Sequence, residues 1–174
     1  GLLTTPRDVA FAADGVTFYI ADTGANKVRK VDSSGNISTI AGTGVAGSGG
    51  DGGQAGSATV NQPGGVAVAS NGDLYIADTG GSRIRRVAAT SGVVSPTSTI
   101  TTFAGTGTAG AAGDGGAATS AQLNVPQDII FISGNLLISD TGNNKVRRVS
   151  SGTITTVAGT GTSCGTPTAL CGDL

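Results

Sequence analysis

Short apolar runs, each closed by Gly, Asn, Asp or Ser, recur along the whole chain, and no stretch shows the spacing of an amphipathic helix. The runs fall into three series with the same internal order. Pro6, Pro63 and Pro126 each open one, followed by Asp8-Val9-Ala10-Phe11, Gly65-Val66-Ala67-Val68 and Asp128-Ile129-Ile130-Phe131. A turn comes next (Asp14-Gly15, Asn71-Gly72, Gly134-Asn135), then Phe18-Tyr19-Ile20-Ala21, Leu74-Tyr75-Ile76-Ala77 and Leu136-Leu137-Ile138-Ser139. Asp-Thr-Gly follows in each series, beginning at Asp22, Asp78 and Asp140, with spacings of 56 and 62 residues. A basic strand succeeds it (27–31, 83–87, 145–149), and a last run ends in Ala-Gly-Thr-Gly at 41–44, 104–107 and 158–161. Each series therefore predicts four short antiparallel strands in a meander.

The prediction is an all-β fold, one domain over residues 1–174 with repeats at about 1–62, 63–125 and 126–174. A four-stranded sheet cannot bury both its faces alone, and radial stacking of such sheets makes a β-propeller. The stretch from Pro63 to Val87 resembles the NHL repeat, and the resemblance runs through the chain three times. It implies four-stranded blades, three per chain. It also implies two alternatives, an RNA-binding propeller and a lyase- or hydrolase-like enzyme whose site forms only in the complete ring, because the fold hosts many functions.

Three blades fall short of the ~4–8 that close a propeller. An open arc would leave two apolar sheet faces uncovered, so the expected partner is the chain itself, two copies closing a six-bladed ring as a homodimer. At one end Gly172-Asp173 repeats the start of the Gly-Asp-Gly-Gly stretch found at 50–53 and 113–116.

Composition narrows the chemistry. There is no Trp or Met, so the core must be Val, Ile, Leu and Ala, and the 31 glycines serve turns. A net charge of −1 gives no general attraction to nucleic acid or an anionic membrane, and no apolar run is long enough for a spanning helix. With no His and no Glu, acid–base chemistry would fall to Asp and Lys, so the chain is expected not to be an enzyme, with no cofactor and no metal. Cys164 and Cys171, in a Gly/Thr/Pro-rich segment, are expected to form a local disulfide, which would place the chain in an extracellular or periplasmic compartment.

Among candidate site residues, Asp22, Asp78 and Asp140 read as structural turn residues, each capping the turn after it while the Gly two places on takes a positive φ. An aspartic protease pair would need two such Asp residues face to face, and three strand-ending copies do not suit that. Nine of the ten Lys and Arg residues lie in the basic strands. Arg29, Arg85 and Arg147 recur once per unit, as an inter-blade pairing role requires, and no aromatic residues accompany them as an RNA platform would need. The connectors Ala41–Gln62 and Ala104–Val125 carry one carboxylate each, Asp51 and Asp114, too few for calcium. Part of each connector is expected to form a loop on one rim, making the surface around Asp51 and Asp114 the favoured binding site for a protein, peptide or glycan.

Overall fold

The computed structural model describes residues 2–163. The expected Cys164–Cys171 disulfide lies outside the described residues. Three four-stranded antiparallel sheets, each in sequence order, make three propeller blades. The first blade contains β1 (Pro6–Phe11), β2 (Phe18–Asp22), β3 (Lys27–Val31) and β4 (Ile37–Ala41). The second contains β5 (Val66–Val68), β6 (Leu74–Asp78), β7 (Arg83–Val87) and β8 (Ile100–Ala104). The third contains β9 (Pro126–Ile132), β10 (Asn135–Asp140), β11 (Lys145–Ser150) and β12 (Thr153–Ala158). The first strands gather together, β1 beside β5 and β5 beside β9, as blades do around an axis.

Strand register sorts the side chains by face, because neighbours along a strand point to opposite sides. In the second blade Val66, Ile76, Arg85 and Thr102 stand opposite one another across the four strands, and Val68, Leu74, Val87 and Ile100 form the adjacent row. This face packs on Tyr19, Ala21, Val28 and Ile40 of the first blade. The second blade's other face carries Ala67, Tyr75, Ala77 and Ile84, and it packs on Ile129, Leu136, Ile138 and Val149 of the third. Tyr75 meets Phe131 edge-on across this joint, with ring centroids 4.6 Å apart. Each joint is thus an arginine-bearing face set against a tyrosine-bearing face. A hydroxyl ties each joint as well: Thr23 donates to the Pro63 carbonyl at 2.7 Å and Thr79 to the Pro126 carbonyl at 2.6 Å.

Among the described residues, the end blades keep one face each without a neighbour. On the first blade Val9 is 56% exposed and Phe11 60%, whereas Val66 and Ile129, which match Val9, are 3% and 4% exposed. On the third blade Ile130 is 54% and Ile132 51% exposed, and Leu137 takes the place that Tyr19 and Tyr75 fill inside the joints.

The connectors differ from the rim loops expected of them. After β4 the chain runs along the outer edge of the next blade, where Gly52 N–H donates to the Ile100 carbonyl (2.8 Å) and Ile100 N–H to Gly53 (3.0 Å). The second connector repeats this on β12, through Gly115 to Ile154 (2.8 Å) and Ile154 to Gly116 (3.0 Å). Ala55, Ala58 and Val60, with Ala118, Ala121 and Leu123, are buried beneath it. An outer strand presents unpaired N–H and C=O groups, and small apolar residues let the connector lie close enough to pair with them.

Candidate functional site

Asp22, Asp78 and Asp140 end β2, β6 and β10, and all three are fully buried. None of them caps the 3-10 turn that follows, which is a departure from the turn-capping expectation. Instead each carboxylate reaches across to the chain entering the blade: Thr4 N–H donates to Asp22, Asn61 N–H to Asp78 and Asn124 N–H to Asp140, each at 2.7 Å. The glycines also act differently from expectation. The left-handed residue closing each turn is Asn26, Ser82 or Asn144, at φ of 52°, 50° and 51°. Gly80 and Gly142 are needed for space, since a Cβ there would stand 2.5 Å from Asn61 and 2.6 Å from Asn124.

Behind each of these carboxylates stands the arginine of the neighbouring strand. Arg85 and Arg147 are completely buried and Arg29 is 14% exposed. Arg147 lies 3.1 Å from Asp140 and Arg85 3.6 Å from Asp78. Their second carboxylate comes from the connector. Arg85 Nη2 donates to Asp51 Oδ1 at 2.6 Å while Thr102 Oγ1 donates to Asp51 Oδ2 at 2.6 Å. Arg147 Nε donates to Asp114 Oδ1 at 3.0 Å and Thr156 Oγ1 to Asp114 Oδ2 at 2.6 Å. Connector carbonyls complete the shell, Thr59 and Gly49 for Arg85 (both 3.4 Å) and Gln122 for Arg147 (3.3 Å). An arginine and a threonine on adjacent strands so form a two-point carboxylate cradle, and charge-assisted bonds of this kind are the strong ones.

These contacts change the reading of several residues. The arginines bind the connector that precedes their blade rather than the facing sheet. Asp51 and Asp114, the favoured binding residues, have their carboxylates taken up within the chain. Arg85 and Arg147 offer no face to phosphate. Thr102 and Thr156 were not singled out from the sequence, because a Thr in a β-strand is ordinary; only its register opposite the arginine marks it.

The electrostatics of the cradle set its acid response. Desolvation pushes the Asp114 carboxyl up, but the Thr156 hydroxyl, Arg147 and Lys145 outweigh it, so the group titrates below its ordinary 3.8. Asp73, held by Ala89 N–H, Asn71 and Arg86 against its own burial, is likewise lowered. A depressed carboxyl contributes stability that is complete above the unfolded value and is lost as pH falls through the folded one. Asp78 runs the opposite way: burial raises it by more than Asn61 N–H, the Ser48 hydroxyl and Arg85 lower it. We expect the melting temperature to fall below about pH 4, and to fall less steeply in Asp114→Asn. Parallel acid limbs for the two proteins would refute the assignment.

A second concave feature is an open groove of about 330 Å³ along the three innermost strands, walled by Val9, Phe11, Val66, Val68 and Phe131 with Asp8 and Asp128 at one end. Asp8 is engaged there, its Oδ2 accepting Val66 N–H at 2.8 Å. Among the described residues no three of His, Cys, Asp and Glu gather into one cluster.

Compared with known proteins, residues 60–87, which include β5, β6 and β7, match the NHL repeat. The first three strands of the middle blade lie in a match to the NHL repeat. Sequence relatives carry similar stretches: Protein SUPPRESSOR OF QUENCHING 1, chloroplastic, of Arabidopsis thaliana is 37% identical over 87 residues, and human Teneurin-4 is 40% identical over 99. About half of this chain (49% and 48%) takes part, but only 8% and 3% of those proteins, so the chain spans less than a tenth of either. Among solved structures, a Bacteroides thetaiotaomicron protein of unknown function superposes with a TM-score of 0.70 at 25% identity, over 85% of this chain and 36% of that one. An auxiliary nutrient binding protein from the same organism gives 0.64 at 21% (82% and 36%). Staphylococcus aureus virginiamycin B lyase gives 0.57 at 18% (90% and 42%). The last two share the fold. The same fold therefore occurs in a binding protein and in a lyase, and the fold itself does not choose between those uses.

Proposed function

We propose that this chain is a non-catalytic NHL-type scaffold that assembles with itself, two arcs closing a six-bladed ring, and presents that ring to a protein, peptide or glycan. One observation carries the reading. The uncovered face of the first blade, with Val9, Phe11, Ile20 and Arg29, has the pattern of the two arginine-bearing faces buried inside the chain. The uncovered face of the third blade, with Ile130, Leu137 and Val146, has the pattern of the two tyrosine-bearing faces they bury against. Set head to tail, such faces repeat the internal joint, and a two-fold ring closes the assembly.

The surface left for a partner in the closed ring is the axial side of the innermost strands, where Ala67, Val68 and Phe131 beside Asp128 suit an extended peptide or a sugar ring. The absence of His and Glu favours binding over catalysis. No described helix is long and apolar enough to cross a membrane. An extracellular or periplasmic location rests on the pair Cys164 and Cys171. Solution mass tests the assembly: light scattering on a size-exclusion column is expected to give twice 16.7 kDa. A stable, well-folded particle of 16.7 kDa at high concentration would refute closure.

A further inference from the structure

The three blades carry the same carboxylate cradle in the same register, and among the described residues a connector fills two of the three. Arg85 stands opposite Thr102 and holds Asp51; Arg147 stands opposite Thr156 and holds Asp114. Arg29 stands opposite Thr39 in the first blade. Arg29 keeps the contacts that its own blade supplies: Asp22 at 3.4 Å, and the Leu2 carbonyl at 3.4 Å in the place of Thr59 and Gln122. Among the described residues it has no connector carboxylate, and Thr39 has no counterpart of the acceptor bound at 2.6 Å in the other two blades. Lys27 also stands where Lys145 approaches Asp114 to 3.9 Å.

The filled cradles define their ligand closely. Each takes an aspartate that follows a glycine, Gly50-Asp51 or Gly113-Asp114, from the connector that leaves the preceding blade. Downstream of the third blade the sequence again reads Gly-Asp, at Gly172-Asp173. Within one chain the first and third blades are not neighbours, since β1 packs beside β5 and β5 beside β9. We propose that Arg29 and Thr39 form a carboxylate-binding cradle that takes Asp173 of a second copy of this chain. There the carboxylate bridges Arg29 and Thr39 as Asp51 bridges Arg85 and Thr102. Arg29, with a second carboxylate opposite Asp22, acquires the paired environment of Arg85 and Arg147. This rests on the reading that two copies close one ring, and it names the charged contact that fixes their order.

The test is sedimentation equilibrium on the full chain as wild type, Arg29→Gln, Asp173→Asn and the double variant. Each single change is expected to weaken the dimer about ten- to a hundredfold, as loss of a charge-assisted contact does. The double variant is expected to be no weaker than the worse single, because both remove the same contact. Asp173→Asn lies outside the described blades, so it decides the matter even if Arg29→Gln impairs folding. A dimer of unchanged affinity in Asp173→Asn overturns the cradle while leaving ring closure standing. A monomeric wild type overturns closure instead, and a peptide of residues 159–174 added in trans then reads the cradle directly. Shifts in the Arg29 and Thr39 resonances that vanish with the Asp173→Asn peptide uphold the site; unmoved resonances overturn it.

Discussion

Replacing Arg85 with alanine is expected to lower the unfolding free energy by about 3–5 kcal/mol, the cost of leaving a buried charge without its partner. The guanidinium is wholly enclosed, and its loss abandons Asp78, which is fully buried, together with the carbonyls of Gly49 and Thr59. It also frees one side of Asp51 and so loosens the connector from the edge of β8. Arg147→Ala is expected to do the same in the third blade, where Asp140 and Asp114 are the groups abandoned. Arg29→Ala is expected to cost less than half as much in the single chain, because Arg29 holds one carboxylate at 3.4 Å and is partly open to solvent. Urea titrations of the three variants check this. Equal losses at all three positions would show that the connector carboxylate adds nothing.

Placing a charge on either uncovered face is expected to leave the fold intact and to abolish assembly. Phe11→Asp and Ile130→Asp alter side chains that are more than half exposed in the single chain, so the stability of each arc changes little. In the closed ring the same positions are desolvated, as Val68 and Phe131 are partly and Ala67 is at the internal joints. An unpaired charge enclosed there costs several kcal/mol, which raises the dissociation constant by about three orders of magnitude. Val45→Asp, on an exposed part of the first connector, serves as the control and keeps the wild-type mass. Dimers that survive both face variants would place the contact elsewhere on the molecule.

The blades were legible in the sequence because two local rules agree. A short continuous apolar run such as Leu74-Tyr75-Ile76-Ala77 gives a strand with two buried faces, and Gly, Asn and Asp between runs give the turns. Threefold repetition turned a weak signal into a strong one. The site was less legible. Asp78 followed by Thr79-Gly80 looks like a local turn signal, and a local reading assigns its carboxylate to the turn. In the fold, the N–H of Asn61, seventeen residues earlier, reaches it first. Asp51 looked like a rim residue for the same reason, since nothing nearby in the chain shows that Arg85 and Thr102 will close over it.

What the sequence determined by itself, then, was the number of strands, their order within a blade and the three-blade period, all products of short-range periodicity and turn chemistry. Tertiary structure alone decided which face meets which, where each connector runs and which carboxylate each arginine holds. Those contacts join residues far apart in the chain, 51 positions for Thr102 with Asp51 and 58 for Val66 with Asp8, and they depend on strand register. Register follows from the turns and from which face is buried, whereas a pattern read along a single strand does not name its neighbour across the joint.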